Sequence, residues 1–292
     1  MQPFAYHAPD SLDEAIGLML SDPAHSRYLA GGTDLYLDLE HKPQVVHHVI
    51  DLKRIPALSG IEATGLNGQG GWRIGALTLM ADIEAHGELR AVFPALAESA
   101  GVVGGPPVRN RATLGGNIVN ASPAADTATP LLALDASVTL AGSKGEREIP
   151  LAQLWQGPRL TTLAPGEVLT AINLPTPAPG SGNGFARLTR TAMDIALVNA
   201  AASVTLGADG AIAGLRLALG AVGPTVLAVD GSALQGRPVD EKTLAEVEAL
   251  ASAAAQPIDD VRASAAYRGE MAGVLARRAT RQAAERAAKG SS

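Results

Sequence analysis

Apolar positions along the chain follow two rhythms. Ala15, Ile16, Met19 and Leu20 recur at helical spacing, and Ser11 followed three residues later by Glu14 forms a capping box, so a helix is predicted to start just after Ser11. SRYL predicts a short strand that runs into the glycine turn AGGTDL and then a helix or extended turn. QVVHHVIDL is β-rich, with Val45, His47 and Val49 on one face and Val46, His48 and Ile50 on the other. LNGQGG ahead of WRIGALT carries a hairpin-type turn signal. LMADIEAHGELRAVFPALAESAGVV predicts one or two helices broken near Pro94. ASVTLAG and GEREIPLAQLW read as further strand pieces, and EVLTAINLP as a strand ended by Pro175.

TPAPGSGNG then concentrates Pro, Gly and Ser as a linker would, and residues 177–184 are taken as the boundary. Beyond it FARLTRT, ALVNAAASVTL, AIAGLRLALGAV and TVLAV alternate as antiparallel strands. TLAEVEALASAAA and a long helix from about Ala263 to Ala288 close the chain. The fold class is α+β: a mixed domain over 1–176, the linker, and a smaller domain of sheet followed by helices over 185–292. No internal repeat at a fixed period is visible.

Composition narrows the chemistry. The net charge is −6 and the 23 basic residues are scattered, which argues against nucleic acid, whose binding rests on clustered Lys and Arg. Arg277, Arg278 and Arg281 form the one basic cluster, on helical sequence, and read as a solvated or partner-facing helix face. The absence of cysteine excludes disulfides, thiolate zinc sites, cysteine nucleophiles and cysteine-ligated iron–sulfur clusters in this chain. No run approaches the ~20 apolar residues of a membrane span. The N-terminal sequence lacks the basic-then-apolar pattern of a signal peptide, so a cytoplasmic location is expected. Aromatics make up only 3%, so the core should be tightly spaced and aliphatic.

No dinucleotide-type G-x-G-x-x-G follows a strand, and no P-loop is present. The six histidines read as surface or structural; His47 and His48 point to opposite faces of a strand, which is poor for joint metal ligation, and no metal site is expected. Without a G-x-S-x-G elbow, no catalytic side chain is assigned. Two glycine pairs remain, in AGGTDL and in TLGGN, each after β-type residues and before a small polar one. Both read either as plain tight turns or as backbone cradles that let a ligand approach and present N–H groups to an anion. Thr33, Thr113, Ser122 and Asn117 add polar groups, and Asp126 adds a carboxylate able to accept from sugar-type hydroxyls. This is a binding inventory rather than a proton-transfer one.

Taken together, AGGTDL, VIDLKRIPALSGIE, VRNRATLGGNIVNASPAADTATPLLAL, GFARLTRTAMDIALVNAAASV and YRGEMAGVLARRA resemble the FAD-binding (medium) subunits of the molybdenum hydroxylase, or xanthine dehydrogenase, family, which includes the carbon monoxide dehydrogenase type. The resemblance spans nearly the whole chain. It implies a vanillyl-alcohol-oxidase-type FAD-binding fold, with α/β subdomains over about 1–60 and 61–176 clasping an extended FAD. By motif match, Leu29, Ala30, Gly31, Gly32, Thr33, Asp34 and Leu35 fall on the first glycine turn, and Thr113, Leu114, Gly115, Gly116 and Asn117 on the second. Asp126 falls where the family has an aspartate near the cofactor's polyol chain. Leu169, Val103 and Ile195 fall on flavin-pocket positions, and Arg187 matches a basic residue in the strand after the linker. Val103 and Ile195 stand where other members carry aromatic residues, so the resemblance implies an apolar wall and no ring stacking there.

The function implied is an electron-transfer flavoprotein. A large molybdopterin-binding subunit and a small 2Fe–2S subunit are the expected partners, in a dimer of heterotrimers, with NAD+, a quinone or another acceptor downstream. Lacking cysteine, the chain departs from benzoyl-CoA reductase-type members, which carry an extra 4Fe–4S cluster. A stand-alone FAD-dependent oxidoreductase of the same fold is the alternative, and a non-catalytic assembly module a more remote one.

Overall fold

The computed structural model describes residues 2–41, 45–64 and 70–290. Strands β1 (Ala5–His7), β2 (Ser26–Leu29) and β3 (His48–Asp51) form a parallel sheet in the order β1-β3-β2. Helices α1 (Leu12–Ser21) and α2 (Leu35–His41) are the crossovers that parallel pairing requires. Ser11 Oγ accepts from the Glu14 amide at 3.2 Å, and the Glu14 carboxylate accepts from the Asp10 amide at 3.3 Å, so the capping signal is used much as the sequence predicts. The strand expected over QVVHHVIDL is shorter: pairing starts at His48, and Gln44 lies outside the described residues. Ahead of the ladder the amides of His47 and His48 both donate to the single carbonyl of His25, in place of the alternating bonds of a paired strand.

A second, antiparallel sheet runs β4-β5-β10-β6-β7, built from β4 (Ile61–Thr64), β5 (Gly71–Gly75), β6 (Ser137–Gly142), β7 (Gly145–Pro150) and β10 (Val168–Pro175). The hairpin signal in LNGQGG falls between β4 and β5, and its residues 66–69 lie outside the described ones. Strands β8 (Trp155–Gly157) and β9 (Leu160–Thr161) make a small separate hairpin. Between β5 and β6 the chain forms α3 (Met80–Ala85), α4 (Gly87–Val92), α5 (Pro94–Gly101), α6 (Pro106–Arg109), α7 (Leu114–Val119) and α8 (Ala128–Ala133). The segment expected as one or two helices is thus three. His86 Nδ1 accepts from the Leu89 amide and caps α4, while Pro94 takes the first turn of α5, where its missing N–H costs nothing. TLGGN also differs from a turn: it opens α7, with Thr113 as the cap.

The C-terminal layer is a meander of β11 (Ser181–Leu188), β12 (Val198–Leu206), β13 (Ile212–Gly220) and β14 (Leu227–Asp230), backed by α9 (Glu241–Ala254) and α10 (Ala265–Gly290). The linker expected over 177–184 is overtaken by β11 from Ser181 onward. Its glycines are there for contact rather than for flexibility. A Cβ on Gly182 would stand 2.2 Å from the Ala283 carbonyl oxygen, and one on Gly184 2.3 Å from that of Ala279, so strand and helix backbones touch directly. Ala272, Ala276, Ala279, Ala283 and Ala287 are buried along α10, which is the close-spaced aliphatic packing the composition implies.

Strand β11 divides its two faces between two cores, following the two-residue period of a strand. Gly182, Gly184 and Ala186 face α10 and the C-terminal core. Asn183, Phe185 and Arg187 face the N-terminal domain: Asn183 donates to the Val92 carbonyl at 3.0 Å and accepts from the Ala95 amide at 2.9 Å, and Phe185 packs on the second sheet's core. The outer edge of β11 is covered by α10, where Gln282 Oε1 accepts from the Phe185 amide and Arg286 donates to the Asn183 carbonyl. Arg277 and Arg281, read from sequence as a solvated or partner-facing face, instead bind Glu241 and Glu248 and staple α10 to α9. Among the described residues no helix is long and apolar enough to cross a membrane.

Because the atoms facing Gly184 are backbone and cannot swing aside, Gly184→Val is expected to cost about 3 kcal/mol of unfolding free energy. A urea midpoint equal to that of the parent chain would contradict this packing.

Candidate functional site

A cleft of about 620 Å³ opens where the three layers meet. Its first wall is the turn from Ala30 to Leu35, which follows β2. Gly32 has φ +82°, a left-handed conformation that suits glycine, and its carbonyl accepts from the Tyr36 amide at 3.0 Å to start α2. Among the described residues no protein acceptor meets the amides of Gly32, Thr33 or Asp34, which leaves three successive donors on the cleft wall. Gly31 serves packing instead. A Cβ there would lie 2.0 Å from the Arg111 carbonyl oxygen, so this turn rests backbone-to-backbone on the loop ahead of α7.

The opposite wall is α7. Thr113 Oγ1 accepts from the Gly116 amide at 3.1 Å, and the Gly115 amide is spent on the Ala76 carbonyl at 2.8 Å. A Cβ on Gly115 would sit 2.6 Å from Ala76 Cβ, whereas one on Gly116 would point toward Ala30 Cβ across 3.8 Å. Gly115 is therefore needed for packing, and Gly116 keeps the surface between the two turns low. Asn117 Oδ1 accepts from Thr127 at 2.7 Å, which fixes its amide, and Asn120 bridges to Asp34 at 3.1 Å, tying the two walls together.

Asp126 forms the floor. It is 7% exposed, accepts from Asn199 Nδ2 at 2.8 Å and faces Arg187 Nε at 3.1 Å, both contacts falling on Oδ1. No protein donor among the described residues meets Oδ2. Burial pushes the carboxyl up to about 6, against the pull of the Arg187 charge and the Asn199 hydrogen bond. Arg187 also donates to the carbonyls of Val102 and Asp194, so one guanidinium joins the α5 end, Asp126 and the loop after β11. Val103, Leu163 and Leu169 give the lining an apolar part, and Ile195 and Met193, also on the lining, are exposed at 55% and 70%.

The structure therefore brings Ala30, Gly31, Gly32, Thr33, Asp34 and Leu35 together with Thr113, Gly115, Gly116 and Asn117 around one cleft. Asp126, Val103, Leu169, Arg187 and Ile195 line the same space. Leu29 and Leu114 do not. Leu29 sits beneath the turn, its Cδ1 3.1 Å from where a Gly32 Cβ would be, and Leu114 is fully buried in the core. Sequence reasoning missed Asn199, Asn120 and Tyr28. Asn199, a lone amide in the apolar strand ALVNAAASV, was the one with a readable signal.

Comparison with known proteins places the chain among flavoproteins. Residues 2–177 match the FAD binding domain in molybdopterin dehydrogenase, and residues 183–283 match the CO dehydrogenase flavoprotein C-terminal domain. The chain is 33% identical over 287 residues to the carbon monoxide dehydrogenase medium chain of Hydrogenophaga pseudoflava, covering 98% of each. It is 33% identical over 269 residues to the xanthine dehydrogenase FAD-binding subunit of Escherichia coli O157:H7, covering 90% of each. The solved carbon monoxide dehydrogenase from Hydrogenophaga pseudoflava that lacks the Mo-pyranopterin moiety of the molybdenum cofactor superposes with a TM-score of 0.92 at 32% identity, over 98% of this chain and 99% of that one.

Asp126 holds its proton more tightly in the folded chain, at about 6, than at its ordinary value of 3.8. Its stability contribution is therefore complete below the unfolded value and lost as pH rises through the folded one. Relative to Asp126→Asn, the apoprotein is expected to lose about 2–3 kcal/mol between about pH 4 and about pH 7. Urea unfolding of both chains across that range checks it; a constant difference would show that the carboxyl does not titrate there.

Proposed function

The chain belongs to the family of FAD-binding medium subunits of the molybdopterin dehydrogenases, and from that premise we propose that its cleft holds FAD between the two glycine elements and passes electrons between a partner subunit and an external acceptor. The observation that carries this reading is the donor set: three successive free amides, at Gly32, Thr33 and Asp34, facing a glycine-smoothed helix start across a narrow gap. Such a surface suits a diphosphate, because directed backbone donors act at contact where the net charge of −6 is screened. Bound FAD supplies the redox chemistry, accepting and releasing electrons that no side chain of this chain could carry.

The protein's own part is binding and placement. Gly32, Thr33 and Asp34 donate to the diphosphate, and Gly116 lets it approach the start of α7. Asp126 Oδ2 accepts from a hydroxyl of the polyol chain while Asn199 and Arg187 hold Oδ1 in place. Val103, Leu163 and Leu169 shield one side of the flavin from water, and the exposed Ile195 and Met193 leave an edge within reach of a partner or acceptor. No histidine or lysine lines the cleft among the described residues, and the chain has no cysteine, in keeping with a site that binds rather than transfers protons.

The partners in this reading are a large molybdopterin-binding chain, where substrate is oxidised, and a small 2Fe–2S chain that relays single electrons. The acceptor is NAD+, a quinone or another carrier, and the setting is the cytoplasm.

The test is Gly116→Val. A Cβ there meets the Thr113 hydroxyl that caps α7 at 2.8 Å and Ala30 Cβ at 3.8 Å, side-chain atoms rather than backbone, so the fold should survive a weakened cap while the cradle fills. Flavin absorbance after FAD reconstitution is expected to fall at least about tenfold, with the unfolding free energy lowered by no more than about 2 kcal/mol. Full FAD retention would remove α7 from the site.

A further inference from the structure

Four of the six histidines form two contacting groups on the first lobe, none of them lining the flavin cleft, and the electron-transfer reading makes no use of them. His7 Nε2 and His48 Nδ1 lie 3.0 Å apart and form one pair. The other group is His25 and His47, whose Nδ1 atoms each stand 2.9 Å from a different oxygen of Asp22. Their rings are 4.4 Å apart between centroids, and the three ligand atoms all lie within 4.8 Å of one another. His48 opens β3, while His47 lies just ahead of it, the two rings meeting edge-on with centroids 6.3 Å apart. His47 finds its partners in other elements, in the turn between α1 and β2.

Three features make this more than neighbouring surface groups. The backbone is fixed, since His25 N donates to the Asp22 carbonyl at 3.2 Å and His47 N to the His25 carbonyl at 2.8 Å, so the ligand atoms converge with little freedom left to lose. The surroundings favour a cation: Asp22 is the C-cap of α1, at the negative end of the helix dipole, and the last turn of α1 carries no basic residue. The side chains are 29–52% exposed, which leaves an ion a path and room for water.

We propose that Asp22, His25 and His47 form a binding site for a divalent transition ion of the zinc class, with solvent completing the coordination. Two imidazole nitrogens and one carboxylate oxygen match the ligand preference of zinc. Bonds of about 2.0–2.2 Å separate neighbouring tetrahedral ligands by roughly 3.5 Å, a spacing these atoms reach with small rotamer shifts. An ion here ties residue 22 to residue 47 across 25 positions. The segment between them holds β2, the first glycine turn and α2, so the ion closes a loop around the amides of Gly32, Thr33 and Asp34 and restrains them.

The test uses the tag-free, FAD-loaded full chain titrated with zinc chloride in competition with a chromophoric chelator, with circular dichroism confirming each variant's fold. One zinc per chain is expected, and zinc should raise the melting temperature. His25→Ala and His47→Ala should each weaken binding more than the about 10–100-fold typical of losing a supporting partner, and should remove the thermal shift. Asp22→Asn, which keeps the side chain's shape but removes its charge, gives the same result without depending on either ring. His7→Ala should leave binding unchanged. A folded parent chain that holds no zinc would overturn the proposal. So would zinc binding unaffected by His25→Ala, His47→Ala and Asp22→Asn, or binding lost with His7→Ala, which would move the site to the other pair.

Discussion

The arrangement turns on one backbone contact, Gly31 against the carbonyl of Arg111. The two chain segments approach so closely that a methyl group on Gly31 would overlap the Arg111 oxygen. That contact sets the distance between the first lobe and α7, and so the width of the gap across which the amides of Gly32 to Asp34 face Gly116. Everything else on the cleft is arranged around this spacing. Asn120 reinforces it from the far end of α7 by donating to Asp34. Arg159, whose guanidinium reaches Asp38 on α2, adds a third tie.

A different balance governs the floor. Asp126 is buried, and desolvating a carboxylate is costly unless partners compensate. Asn199 and Arg187 compensate in part, and both come from the C-terminal domain, so the same two contacts that steady the carboxylate also dock that domain onto the flavin domain. The cleft is thereby built from three layers at once. An acidic protein can present such a site to an anion because its fixed donors act at contact, while its net charge acts at a distance and is screened.

Much of this was legible from sequence and some was not, for identifiable reasons. The capping box at Ser11, the strand running into AGGTDL, the C-terminal antiparallel strands and the long final helix follow from local periodicity, and local periodicity is what a sequence displays. The glycine pairs were recognisable as a pair, but their division of labour was not. Gly31, Gly115, Gly182 and Gly184 each answer to a backbone brought near by distant sequence, and composition alone made the last two look like linker. Leu29 and Leu114 belong to the same motifs as the cleft residues yet support them from behind, a difference that adjacency in sequence cannot express. The pairing of His47 with Asp22 and His25 was hidden likewise, since strand alternation gives a side but not a neighbour.

The double allegiance of β11 has a consequence for how this chain can vary in length. Between β10 and Ser181 the connection buries no side chain and, among the described residues, is tied only at its ends, by Thr176 to the Gly70 carbonyl and by the Leu206 amide to the Gly180 carbonyl, so residues can be gained or lost between those ties at little energetic expense. From Gly182 to Arg187 the situation reverses. Removing a single residue would rotate every following side chain to the opposite face, presenting Arg187 to the alanine stripe of α10 and the apolar Leu188 to Asp126. Both cores would fail together. Length variation among chains of this architecture should therefore stop abruptly at Ser181, and a six-residue window should be constant in length even where its residues differ.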